Sequence, residues 1–319
     1  MFFNVFIRLL SIFLIILAGA IARRRGFLTD DTASAMAVCV TNFFYPALIV
    51  SSITSGFTIK SLMSNWVLPA GTVVIMLTGY IIGILFTGFL SFESIKQKNT
   101  FLFQCTINNY VFLPLPVAGM FLGNTGIAHL IFSSLGSEIS VWTIGILGLT
   151  GNRIERKSLK NLLSVPIIAL FFAISVITIR DVFTIDAIAE NIFLKNIIQG
   201  FAVSLDMFGK ATVPLALFLA GSRISKIPMY QLRIKNQFWI VFLRLVFIPA
   251  AACAALSFFP ASYEIFLVLS IVAIMPAAIA SIILSDAYKA DIEFASSSVL
   301  TTHILSLLTI PAWLTFLMK

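Results

Sequence analysis

Charge is scarce in this chain: Asp, Glu, Lys and Arg make up 11% of its 319 residues, while 60% are hydrophobic. A soluble domain is about 45–50% apolar, so this composition excludes an ordinary globular protein and indicates an integral membrane protein. Cysteine is nearly missing as well. Cys39, Cys105 and Cys253 are odd in number, lack CxxC spacing and fall in or beside apolar runs, so they read as small apolar residues and not as disulfides or metal ligands. No HExxH, P-loop or GxSxG pattern occurs, which removes the usual signatures of a metalloprotease, an ATP-driven pump and a serine hydrolase. An intramembrane aspartyl enzyme needs paired carboxylates, and Asp206 has only the distant Glu138 as companion. The expectation is a protein without enzymatic chemistry or cofactor.

Stretches long enough to fold outside a bilayer are also missing. A spanning helix needs about 20 mostly apolar residues, and windows between charged loops give ten candidates, roughly 4–22, 36–54, 66–90, 101–122, 127–149, 162–179, 197–221, 236–258, 263–285 and 296–317. The first is followed by Arg23, Arg24 and Arg25, the reverse of a cleavable signal peptide, and is expected to be retained. Of the 21 Lys and Arg residues, 14 fall in the loops after spans 1, 3, 5, 7 and 9, and 5 fall on the other side. Cytoplasmic loops carry that excess, which predicts both termini outside a plasma (inner) membrane. The same distribution accounts for the net charge of +8 as contacts with anionic lipid, with no nucleic acid as partner.

Ten spans divide into five and five, 1–155 and 156–319, and an odd number makes the second set enter from the opposite side, as an inverted repeat. Asn42 stands four residues before Pro46 in span 2, and Lys210 four before Pro214 in span 7. Each proline lacks an N–H and frees the carbonyl four residues back. Spans 4 and 9 are equivalent under the same repeat and carry Pro114 with Pro116, and Pro276. A lone proline is a common kink, but paired breaks predict discontinuous helices around a midplane site. The residues after the breaks, Ala118 to Met120 and Ala277 to Ile279, would offer half-helix N–H groups to an anion.

Ionisable residues inside spans are few: Glu138, Asp206, Lys210, Arg244 and His303. Such groups default to functional candidates. Asp206 and Lys210 share a helical face and form either a local ion pair or a substrate countercharge with its partner or proton carrier. Arg244 either binds the substrate or snorkels to an interface. Glu138 fits a cavity wall or a neighbouring helix, and His303 fits a packing role or a proton relay. Asn108, Asn109 and Tyr110 precede the break in span 4, where they can bind a carboxylate or cap broken backbone. Gly79 and Gly83, in GYIIG, form a small-residue pattern read as helix packing.

Four segments bring the chain to a family. The run LIILAGAIARRRGFLTDDTASAMAVCVTNFFYPALIVSSI, with Asn42, Pro46 and Leu48, resembles the opening of the auxin efflux carrier family, which includes plant PIN carriers and bacterial malonate or malate permeases. Asn109, Tyr110, Phe112, Leu113, Leu115 and Pro116 match its span 4 motif, and the stretch around Pro214 resembles its span 7. Met275, Pro276 and Ala278 are similar to its span 9. The departures are Val111 and Pro114 where the family has glycines, and Ala280 where many relatives have asparagine. The resemblance implies an all-α fold of ten helices in two inverted repeats, with helices 4 and 9 crossing at their breaks. It further implies elevator-like transport of a small organic anion, such as a mono- or dicarboxylate. The expected site combines Asn42, Asn108, Asn109, Tyr110, Pro114, Pro116, Pro276 and Ala277 with a cation from Lys210 or Arg244, and Asp206, Glu138 or His303 for coupling to H+ or Na+. A homodimer is the assembly to test. The alternatives are a sodium-coupled symporter of bile-acid-carrier type, in which the carbonyls of Tyr110, Phe112 and Val272 hold the ion, and an anion sensor that moves nothing.

Overall fold

A computed structural model describes residues 2–151, 164–182, 192–227 and 235–319. Its elements there are all helical: α1 (Phe2–Arg24), α2 (Asp30–Gly56), α3 (Ile59–Phe89), α4 (Ile95–Thr106), α5 (Pro114–Thr150), α6 (Val165–Val182), α7 (Ile192–Ile224), α8 (Gln237–Leu256), α9 (Tyr263–Ala273), α10 (Ala280–Ala287) and α11 (Ile292–Leu317). Eight of them are long and apolar enough to cross a membrane. The others, α4, α9 and α10, are the short pieces left where two apolar runs are interrupted.

Local chemistry sets the helix starts. Thr29 and Thr58 close capping boxes with Thr32 and Ser61, and Ser94, Ser262 and Asp291 each accept an N–H of the first turn. At one rim, Arg180 donates to the Thr54 and Phe57 carbonyls that end α2, while Asp181 accepts the Ile59 N–H that opens α3. One Arg–Asp pair thus satisfies orphan groups at both sides of a turn.

The interruption in span 4 comes earlier than the prolines. Helix α4 ends at Thr106, residues 107–113 leave the helical path, and α5 begins at Pro114. Pro114 and Pro116 occupy the first turn, where a helix has no use for their missing N–H. Ala118 to Met120 lie inside the helix, so their N–H groups are not the free ones expected. Gly123, at φ 63°, bends α5 sharply. In span 9, α9 ends at Ala273, Pro276 falls inside the break, and α10 resumes at Ala280. The turn into α11 contains Lys289 at φ 54°.

Proline acts differently elsewhere. Before Pro46 the helix widens into a π-turn over Val40–Phe44, closed by Tyr45 N–H to the Val40 carbonyl, and the same widening over Leu243–Phe247 precedes Pro249. A residue inserted into the ladder absorbs the ring. Pro214, expected to act as the partner of Pro46, sits within the unbroken α7.

The helices sort into two groups. Helix α7 packs on α1 and α2, and α6 on α2; α3 packs on α4, α5, α8 and α9, while α11 packs on α8 and α10. The groups meet chiefly where α1 touches α11 and α2 touches α5. Small residues permit the closest approaches. A Cβ on Gly79 would strike the Cys105 carbonyl, and one on Gly83 would strike Leu102 and Cys105 side chains, so GYIIG is the surface on which α3 receives α4.

Candidate functional site

The two breaks supply each other with hydrogen bonds. Asn108 and Ala277 form an antiparallel bridge, and the Asn109 N–H donates to the Pro276 carbonyl at 2.8 Å. Backbone polar groups buried away from water must be paired, and here each interrupted helix provides what the other lacks. The Ala277 N–H donates to Thr302 Oγ1 at 3.3 Å, which removes it from the groups expected to hold an anion. Gln104 adds a tie, donating to Ser281 Oγ and the Ala295 carbonyl.

Beside this crossing lies a cavity of about 240 Å³. One wall is the break itself, Asn108 to Phe112, with Glu138 from α5 and Ala278 to Ala280 at the start of α10. The opposite wall comes from the other helix group: Thr41 and Tyr45 of α2, Pro166 of α6, and Ala216, Leu219, Ala220 and Arg223 of α7. The α7 residues recur at helical spacing, so they form one stripe facing the crossing. Glu138 accepts from Tyr110 Oη at 2.9 Å and from Trp142 Nε1 at 3.3 Å. Arg223 is half-buried, and its guanidinium has no hydrogen-bonded or ion-paired partner among the described residues.

The expected residues divide accordingly. Asn108, Asn109, Tyr110 and Glu138 line the cavity. Pro276 and Ala277 form the backbone behind it, and Pro114 and Pro116 start the adjoining half-helix. Neither expected cation is there. Lys210 is 75% exposed at its side chain and pairs with Asp206 one turn back on the outer face of α7. Arg244 is completely buried and donates to the Cys105 carbonyl at 2.9 Å and the Ala273 carbonyl at 3.3 Å. Asn42 is exposed on the outside of its π-turn. His303 stands behind the site: its Nδ1 lies 2.8 Å from the Val299 carbonyl and its Nε2 lies 3.4 Å from Asn109 Nδ2. Sequence reasoning missed Arg223 because an arginine closing an apolar run looks like a topology signal. The spacing of Ala216, Leu219, Ala220 and Arg223 was the available clue.

Comparison with known proteins assigns this apolar helical chain to a family. Residues 4–161 and 152–314 match the family described as membrane transport protein, that of the auxin efflux carriers. The chain belongs to that family. It is also 26% identical to an uncharacterized transporter of Methanocaldococcus jannaschii, over 95% of this chain and 96% of the relative. As a family member it is a multi-pass membrane transporter.

Proposed function

We propose that this transporter is a secondary carrier of a small carboxylate-bearing solute, which binds in the cavity beside the crossing. The observation that carries this reading is Arg223, an unpartnered guanidinium on a cavity wall opposite interrupted helices. A guanidinium matches a carboxylate bidentately. The start of α10 adds little to this, because the Ser281 and Ile282 N–H groups already donate to the Ala278 and Ile279 carbonyls.

The same proposal includes ten crossings in two inverted repeats, 1–155 and 156–319. It is supported by the shared order of half-helix, break, half-helix, left-handed turn at Gly123 or Lys289, and long helix. Transport then proceeds by sliding of the group that carries the crossing against α1, α2, α6 and α7, so that the cavity opens to each side in turn. Both termini face outward from a plasma (inner) membrane, as the basic loops indicate. Sodium coupling is less well supported. The Val272 carbonyl, one of three needed to hold the ion, already accepts the Asn108 amide and the Met275 N–H, and Arg244 takes the carbonyls that end α4 and α9.

Arg223→Gln should weaken carboxylate binding by about tenfold or more, the equivalent of roughly 1.4 kcal/mol, and abolish counterflow in proteoliposomes, with thermal stability retained. Unchanged affinity in this variant would remove Arg223, and the reading built on it, from the site.

A further inference from the structure

The cavity holds opposite charges that do not meet. Arg223 and Glu138 both line it, yet no ion pair within 4.0 Å joins them. Glu138 accepts at both oxygens, since the Trp142 indole N–H can only donate and the Tyr110 hydroxyl donates to the other oxygen. That pattern is the one an ionised carboxylate takes.

An amide adds an acceptor on the same wall. The Val299 carbonyl can only accept, so the proton of the neutral His303 ring is on Nδ1, and Nε2 accepts from Asn109 Nδ2. Asn109 Oδ1 is left without a partner and is not sealed from the cavity that Asn109 lines. Asn108 is fully buried and spends its Nδ2 on the Val272 carbonyl, so that its Oδ1 has no partner either. The Asn108 oxygen is sealed away, whereas the Asn109 oxygen is unpaired and open to the cavity, where a ligand donor can satisfy it. The crossing wall thus presents one amide oxygen, that of Asn109, and a carboxylate, whereas the facing wall presents a guanidinium. A purely anionic solute satisfies Arg223 and meets the Glu138 carboxylate and the Asn109 oxygen opposite.

We infer that the solute is a zwitterion, a free amino acid, with its carboxylate on Arg223 and its ammonium on the Glu138 and Asn109 side. The inference rests on the carboxylate site proposed above and adds the second pole. A cavity of about 240 Å³ has room for a small solute of this kind.

The test is calorimetric binding to the purified full-length protein, with three carbon skeletons each offered as amino, hydroxy and unsubstituted acid: alanine, lactate and propionate; leucine, 2-hydroxy-4-methylvalerate and 4-methylvalerate; phenylalanine, phenyllactate and phenylpropionate. The expected result is that on at least one skeleton the amino acid binds about tenfold or more tightly than its unsubstituted acid, and that Glu138→Gln erases this preference. If an unsubstituted or hydroxy acid binds as well as the amino acid on every skeleton, and Arg223→Gln abolishes that binding, the zwitterion is overturned and the carboxylate site stands. If no compound binds, both fall. Because Glu138 also holds Tyr110 and Trp142, its variant could fail to fold; the unsubstituted protein reads the preference without it.

Discussion

Arg244 is among the largest fully buried side chains of the protein, and its position explains how a full charge is tolerated there. It donates to Cys105 and Ala273, the carbonyls at the ends of α4 and α9. A helix C-terminus behaves as roughly half a negative charge, and two of them face one guanidinium. Its Nε has no partner, so the balance depends on those two contacts. Hydrogen bonds to charged groups are worth about 1.5–3 kcal/mol each; Arg244→Met should therefore cost on the order of 3 kcal/mol or more, visible as a lower melting temperature in detergent. Arg244→Lys should recover only part, because an ammonium lacks the planar fork that spans both carbonyls. Equal melting of all three forms would refute this role. The sequence made Arg244 conspicuous by its depth in an apolar run, but it could not say what surrounded it. With Arg223 the difficulty was reversed: its place at a helix end made it ordinary.

At the scale of elements, interruptions were legible and their construction was not. Two asparagines and two prolines in an apolar run announced a break. That the break would lie at 107–113, before the prolines, followed from a rule that acts only once the helix register is known: proline is accommodated in a first turn. Pro214, read as freeing the Lys210 carbonyl, does so without a break, since a proline within a helix packed by neighbours leaves the path intact. The glycines of GYIIG were read correctly because close approach needs only a missing side chain. They are not equivalent, however. Gly79 faces the Cys105 carbonyl, which Arg244 also grips, whereas Gly83 faces side chains that can turn aside. Gly79→Ala should destabilise the protein by about 1–3 kcal/mol and Gly83→Ala by less, as compared by thermal unfolding. The reverse order would mean that the α3–α4 contact is softer than its geometry.

For the whole molecule, the family resemblance implies a scaffold part and a transport part, but which helices form each group could not be read from the sequence, because apolar runs do not state their neighbours. The cavity lies on that division, with Arg223 on one side and Glu138 on the other. This has a kinetic consequence. Without solute, sliding draws two charges on different bodies past each other through surroundings of low dielectric, where attraction between them is strong. A solute that answers both charges at once moves with the crossing and relieves that drag. The loaded protein should therefore reorient faster than the empty one. In proteoliposomes preloaded with labelled solute, efflux into unlabelled solute should exceed efflux into buffer severalfold, and Glu138→Gln should narrow the gap. Equal rates would mean that the two walls pass each other freely. Otherwise the carrier works chiefly as an exchanger, refilling from one side what it has released to the other.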